Sequence, residues 1–346
     1  MRLTDIAARA GVSTATVSRV LNGRPGVGEE TRAAVMAAVE ELGYTRAEAG
    51  RPRHRPTGLI GLIVGEMSNP IFPAFAQGIE HAAAGAGYTQ LLCTGSPGGI
   101  SEQDYLDMLQ RHQVDGIVIV SGQHSDTEAD LSRYRQLDDL NIPLVVINGT
   151  QEEIQAPALS TDEHAAMDLA VRHLAAQGHR RIGLATGPTQ FVPTLRKIEG
   201  FQTAAARHLP EDPEGGELAN SLFTLEGGVA AGTDLIQRGC TAVVCGSDVM
   251  ALGVIRAARS AGLDVPRDLS VVGFDDSSMV AFTDPPLTTL RQPVDALCRS
   301  AMATLLRQIQ NQSAERPASA ELLFEPELVV RGSTAAAPAE LAEPAS

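Results

Sequence analysis

From position 58 onward, short apolar runs alternate with longer amphipathic stretches, and this alternation restricts the fold more than any other feature. The runs Leu59–Val64, Thr89–Cys93, Gly116–Ser121, Leu144–Asn148, Ala158–Thr161, Arg181–Thr186, Ala242–Gly246 and Ser270–Phe274 are short and rich in Val, Ile and Leu, which predicts strands. Between them, Phe72–Ala86, Ser101–Arg111, His164–Gln177, Leu195–His208, Glu226–Gln237 and Asp248–Ala261 repeat their apolar residues at helical spacing. A strand that reaches the next strand through a helix pairs with it in parallel, and a parallel sheet needs helices on both faces. The expected class is therefore α/β, with enough strands for two doubly wound sheets. Ligands of such sheets bind beyond the carboxyl ends of the strands.

The first 57 residues read differently. They hold nine arginines against six acidic residues, a local charge of +3. The whole chain carries −15, so the remainder carries −18. The net charge excludes a broadly cationic nucleic-acid coat but permits one small basic patch. Thr4 is placed to cap a first helix, with Asp5 in its first turn and Ile6, Ala7 and Ala10 on one face. Gly11 stops that helix and Ser13 caps the next, where Val17, Val20 and Leu21 face inward. A third helix near Glu29–Leu42 offers Val35, Ala38, Val39 and Leu42 to the same core. The second helix is left with Thr14, Ala15, Ser18 and Arg19 on its outer face. This is a helix-turn-helix pattern. Small side chains let such a helix enter the major groove, where an arginine can hold guanine O6 and N7 together. Hydroxyls such as those of Thr16, Ser18 and Thr31 suit phosphate oxygens.

These strings resemble the LacI/GalR family of bacterial transcription regulators. The headpiece likeness rests on Asp5-Ile-Ala-x-x-Ala-Gly-Val-Ser-x-x-Thr-Val-Ser-Arg-Val-Leu-Asn22, Thr31-Arg-x-x-Val and Leu42-Gly-Tyr44. It continues in family order through Ser68-Asn-Pro-Ile-Phe72, Asp115-Gly-Ile117, Gly178-His-Arg-Arg-Ile-Gly183, Cys245-Gly-Ser-Asp-Val-Met-Ala-Leu-Gly253, Ser270-Val-Val-Gly-Phe-Asp-Asp276 and Pro286-Leu-Thr-Thr-Leu-Arg-Gln292. The resemblance implies a helix-turn-helix headpiece plus a periplasmic-binding-protein-like core of two Rossmann-like lobes. It implies a DNA-binding headpiece at 1–45 and a hinge at 46–57. The core N-subdomain would take 58–159 and 290–318, and the C-subdomain 160–289 and 319–333. The Ala/Pro/Glu-rich tail at 334–346 is expected to be disordered.

The resemblance also implies roles for matching positions. Thr14 and Ala15 would set operator specificity and Arg19 would read a base edge. Ser13, Thr16, Ser18, Asn22, Thr31 and Tyr44 would position the DNA backbone. Gly28 stands where a phosphate-contacting Ser is usual, with Glu29 and Glu30 beside it, which weakens that clamp. In the hinge the family's minor-groove Leu is missing, and Pro52 or Arg53 falls near its register. A minor-groove contact by Arg51 or Arg53 and an ordinary solvated linker both fit.

For the effector the resemblance implies a cleft between the lobes that closes on a small molecule. Ser121, Asn148, Asp162 and Asp275 stand at or just past strand ends, Ser247 opens the helix after another strand, and Phe72, Phe191 and Phe223 offer apolar faces for a sugar ring. Lys197, the only lysine among 27 basic residues, replaces the family's usual arginine three residues before Gly200-Phe201, with Arg196 adjacent. An ammonium lacks the planar fork that suits carboxylate or phosphate, so a neutral glucoside is favoured over a nucleoside or purine. The strings Pro70–Ala76 and Val192–Lys197 also look similar to actinobacterial regulators of maltose or α-glucoside use.

Two other classes share this fold. A metabolic enzyme would need chemistry the sequence lacks: there is no G-x-G-x-x-G after a strand and no G-x-x-x-x-G-K-[ST], and Thr94–Gly98 misses G-x-S-x-G at its first position. A stand-alone sugar-binding protein would carry a secretory signal, and Met1–Ile6 opens on no continuous apolar stretch. The expectation is a cytoplasmic homodimeric repressor with no metal, no cofactor and no membrane contact. Cys93, Cys240, Cys245 and Cys298 form no C-x-x-C and read as reduced, buried thiols.

Overall fold

The computed structural model describes residues 3–21, 27–41, 57–95, 98–209, 216–310 and 320–338. The chain divides into two compact units, Met1–Thr57 and Gly58–Ser346. In the first, α1 (Leu3–Ala10), α2 (Thr14–Leu21) and α3 (Glu29–Glu41) enclose Ile6, Val17 and Val35, each fully buried, with Ala7, Val20 and Ala38 beside them. Thr4 lies within α1. Gly11 turns the chain at φ +65°, a conformation that costs glycine little. Val12 N–H then donates back to Ala7 O at 3.0 Å. Ser13 caps α2 as expected, its Oγ accepting from Thr16 N at 3.2 Å.

Among the described residues the second unit holds two six-stranded sheets. The first runs β11-β5-β4-β3-β1-β2 and is parallel throughout. Its members are β1 (Leu59–Val64), β2 (Thr89–Thr94), β3 (Gly116–Val120), β4 (Leu144–Ile147), β5 (Ala158–Thr161) and β11 (Glu321–Phe324). The second contains β6 (Ile182–Thr186), β7 (Glu217–Asn220), β8 (Ala242–Cys245), β9 (Ser270–Asp275), β10 (Thr288–Arg291) and β12 (Glu327–Val329). Its order is β12-β10-β9-β8-β6-β7, parallel except for the β10–β12 pair. The central strands β3, β4, β8 and β9 are buried along their whole length, as double coverage by helices demands.

Helices α4 (Ile71–Gly85), α5 (Glu102–Arg111), α6 (Ser132–Asp139) and α11 (Val294–Gln310) belong to the first lobe, and α7 (Glu163–Ala176), α8 (Val192–His208), α9 (Leu225–Gln237) and α10 (Asp248–Ser260) to the second. Phe75 and Phe201 anchor the two cores, each with no exposed surface, a burial that contributes about 1.5–3 kcal/mol per ring. All four cysteines are buried, and burial pushes the thiol of Cys93 up to about 11 and those of Cys240 and Cys298 to about 12. Among the described residues no helix is long and apolar enough to cross a membrane.

The lobe boundaries differ from the expected ones. The chain crosses between lobes at Asp162, at Gln292–Pro293 and at Glu325–Pro326. Strand β11 therefore lies in the first lobe, although 319–333 was expected wholly in the second, and β5 and β10 each stay intact on one side. The three crossings are bonded to one another. Thr161 Oγ1 donates to Gln292 Oε1 at 2.8 Å, and Asp162 N–H donates to Phe324 O at 2.8 Å. The start of the expected disordered tail is also docked. Ala335 N–H donates to Ser270 Oγ at 3.1 Å and Ala337 N–H to Gln177 O at 2.9 Å, so satisfied backbone groups hold these residues despite their composition.

Candidate functional site

Three polar residues stand at carboxyl ends of strands with backbones most side chains avoid. Ser121 follows β3 at φ +54°, Asn148 follows β4 at φ +70°, and Asp275 ends β9 at φ +116°. Such conformations cost of order 1–3 kcal/mol each and persist where surrounding structure enforces them. All three line one open cleft between the lobes, with a cavity volume of about 210 Å³.

The cleft is lined by aromatic faces and converging polar atoms. Phe72 comes from the first lobe, and Phe191, Phe223 and Phe274 come from the second. The Phe223 ring fits because Gly187 has no side chain: a Cβ there would lie 2.0 Å from it. Phe191 is carried to the cleft by a contact between lobes. Thr127 N–H and Oγ1 both donate to Gln190 O, at 2.8 and 2.9 Å, and Asp126 forms an isolated antiparallel bridge with Phe191.

The polar groups form a linked set. Gln292 Nε2 donates to Asp275 Oδ1 at 2.7 Å, and the Asn69 side chain bonds to the same carboxylate. Burial, then the nearby Asp248 carboxylate, pushes the Asp275 carboxyl well above its ordinary range. Asp248 is itself raised to about 6, by burial above all, although Thr289 Oγ1 and Ser277 N–H donate to it at 2.6 and 2.7 Å. Lys197 is buried, with Nζ 4.0 Å from the Phe274 ring centroid and 3.5 Å from Glu163 Oε1. Gly200 permits this pairing: a Cβ there would come within 2.8 Å of His164 Cα, so α8 lies close against the start of α7. Asn148 Nδ2 donates to Ser121 Oγ at 3.0 Å. Among the described residues, three buried atoms of the lining have no protein partner: Asn148 Oδ1, Glu163 Oε2 and Thr194 Oγ1. Buried polar atoms left this way call for a partner, and here each borders the cleft.

Of the expected effector residues, Phe72, Ser121, Asn148, Phe191, Lys197, Phe223, Ser247 and Asp275 line this cleft. Ser247 also caps α10, its Oγ accepting from Met250 N at 3.2 Å. Two residues do not line it. Asp162 instead caps α7, its Oδ1 accepting from Ala165 N at 2.9 Å. Arg196 turns away to Glu321, because neighbouring helical residues point about 100° apart. The sequence reading did not single out Glu66, Ser125 or Glu163, and Pro193, Thr194, Gly246, Phe274 and Gln292 were present only within the strings Val192–Lys197, Cys245–Gly253, Ser270–Asp276 and Pro286–Gln292. Ser68, Asn69 and Ile71 were present only within the family string Ser68–Phe72.

In the first unit, Ser13, Thr14 and Arg19 are exposed, and Thr16 and Thr31 are partly exposed. Ser13 Oγ lies 2.9 Å from Thr16 Oγ1. Ala15 and Ser18 occupy the same helix. Asn22, Tyr44, Arg51 and Arg53 lie outside the described residues.

A three-helix unit with a helix-turn-helix, joined in one chain to two doubly wound lobes around an open cleft, defines a regulator that couples a headpiece to a small-molecule sensor. Residues 2–47 match the family model for bacterial regulatory proteins of the lacI family, and residues 171–334 match that for a periplasmic binding protein-like domain. The HTH-type transcriptional regulator MalR of Streptomyces coelicolor is 55% identical over 346 residues, covering 99% of each chain. Among solved structures, a transcriptional regulator CelR–cellobiose complex is similar at 30% identity and TM-score 0.68, over 96% of this chain and 99% of that one. A lac repressor dimer bound to operator and the anti-inducer ONPF is similar at 26% identity and TM-score 0.68, over 96% and 98%. The chain belongs to the LacI family of bacterial transcriptional regulators.

Proposed function

We propose that this protein is a cytoplasmic homodimeric repressor released from its operator by a neutral saccharide, a glucoside such as maltose, bound in the cleft. The observation that carries the reading is the pairing of aromatic faces with buried acceptors that lack partners, Asn148 Oδ1 and Glu163 Oε2. A sugar offers both complements, apolar ring faces and a surplus of O–H donors. Phe72, Phe191 and Phe223 would stack on the rings. Ser121, Asn148, Lys197, Ser247 and Asp275 would fix the hydroxyls. The CelR–cellobiose complex, a disaccharide on a similar chain, supports the same ligand class.

On the DNA side, Arg19 would read a base edge, Thr14 and Ala15 would set specificity, and Ser13, Thr16, Ser18, Asn22, Thr31 and Tyr44 would hold the backbone, with Arg51 and Arg53 in the hinge. One headpiece offers too few contacts for tight binding, so two copies would be needed on a pseudo-palindromic site. Operator binding by the purified protein, titrated with mono- and oligosaccharides at fixed salt, tests the reading. Release by a glucoside at concentrations where unrelated sugars are inert is the expected result; equal response to all sugars, or to none, overturns it. The coupling is reciprocal, so DNA must weaken saccharide binding by the factor by which saccharide weakens DNA binding.

A further inference from the structure

Glu163 opens α7 with its side chain buried against the cleft. Its two oxygens face different tasks. Oε1 lies 3.5 Å from Lys197 Nζ, whereas Oε2 is buried with no protein partner. Among the described residues Lys197 is the only cationic residue of the lining, and its charge is already matched by Glu163 and by the Phe274 face 4.0 Å away. The other ionisable groups of the lining, Glu66 and Asp275, are acids and supply no positive charge. An anionic ligand therefore meets no unpaired positive charge, and in a site of low dielectric that mismatch is costly.

We propose that Glu163 is the specificity-determining residue of this cleft: its free Oε2 accepts a ligand hydroxyl, while its charge holds Lys197 neutralised and so excludes phosphorylated or acidic forms of the same sugar. The inference rests on the saccharide reading above and adds to it a named discriminator. Glu163 is recruited by two independent features. The helix start favours a carboxylate at that position, and the Gly200 contact brings Lys197 to it. A carboxylate with one oxygen committed and one free is a directional acceptor, and a hydroxyl donated to it forms a charge-assisted bond.

The test is calorimetry on the full-length protein with two probes, maltose and maltose 6′-phosphate. The unaltered protein is expected to prefer maltose by at least a hundredfold. Glu163→Gln keeps the shape but removes the charge. It is expected to weaken maltose about tenfold and to narrow the preference at least tenfold, because Lys197 is then unpaired. Glu163→Asp keeps the charge but draws the acceptor back. It is expected to weaken maltose while the phosphate ester stays excluded. Preference ratios unchanged in both variants overturn the proposal and leave the saccharide reading standing. If the unaltered protein binds no neutral saccharide, the saccharide reading falls and the role of Glu163 falls with it. Should Glu163→Gln fail to melt cooperatively, Glu163→Asp still decides: unaltered maltose affinity in that variant refutes the hydroxyl contact.

Discussion

Arg196 and Glu321 meet as a two-pronged ion pair, each guanidinium nitrogen 2.7 Å from its own carboxylate oxygen, and the two residues sit in different lobes. Both side chains are largely buried, and Ser160 Oγ donates to Glu321 Oε1 as well. Burial alone would raise the Glu321 carboxyl; the bonds from Arg196 and Ser160 outweigh it and hold the group below its ordinary value. A depressed carboxyl adds stability above its unfolded value, about 4.5, and loses it as pH falls through the folded one. Glu321→Gln should therefore cost about 1–3 kcal/mol at pH 7, read as a lower denaturation midpoint, with the deficit shrinking below pH 4.5. A deficit that stays constant with pH would show that the pair does not carry it.

The Thr127–Gln190 contact bridges the lobes and precedes Phe191 directly. Thr127→Pro removes the N–H donor. One net hydrogen bond is worth about 0.5–1.5 kcal/mol, so effector affinity in calorimetry should drop about twofold to tenfold. Thr127→Ala removes only the hydroxyl and should lose less. Unaltered affinity in the proline variant would detach Phe191 from the site.

Arg19 is exposed on α2, the second helix of the pair. Arg19→Ala should cost about 1–3 kcal/mol per half-site and relax preference at one base pair, measured by binding to an operator library. A loss spread evenly over all sequences would assign Arg19 to phosphate instead.

His124 lies fully buried just past the carboxyl end of β3, its Nε2 3.0 Å from Ile147 O. The Tyr134 hydroxyl accepts from His124 N–H at 3.2 Å and donates to Glu102 Oε1 at 2.6 Å. Burial lowers the imidazole to about 4, the bond to Ile147 O working against it. A lowered histidine leaves the unfolded chain binding more protons between about pH 6.5 and 4, so its contribution falls as pH falls through that window. The stability gap between the unaltered protein and His124→Gln should close by about 3 kcal/mol from pH 7 to 4. A gap that is flat across that range would place the imidazole in contact with water.

Much of this fold was legible because its central strands are continuous apolar runs buried on both faces, and these are the parts where one physical force dominates. Three of the four omitted strands lie at edges; the fourth, β10, is internal, but its Thr-Thr-Leu-Arg sequence holds a single apolar residue. Strands β7, β11 and β12 are short and partly exposed, so their sequences show no sustained apolar run. The cleft was legible where polar residues end apolar strands, as at Ser121, Asn148 and Asp275. It was not legible at Glu163, because an acidic residue at a helix start already has a local explanation in the helix dipole. Asp162 misled for the mirror reason: its position past a strand suited a ligand, but the helix behind it needed a cap. Arg196 and Lys197 are neighbours in sequence but point about 100° apart, and only the rotation of α8 assigns one to a carboxylate of the other lobe and one to the cleft.

The three crossings between lobes span only Asp162, Gln292–Pro293 and Glu325–Pro326, and they are bonded to one another. A single tether would let the halves wander, whereas three short ones bound side by side behave like the leaf of a flexure bearing. Gln292 belongs to this leaf and also touches Asp275 in the cleft. A molecule seated there would touch, through Gln292, the very segment about which the lobes must pivot, so the same residue would serve both as lining and as hinge.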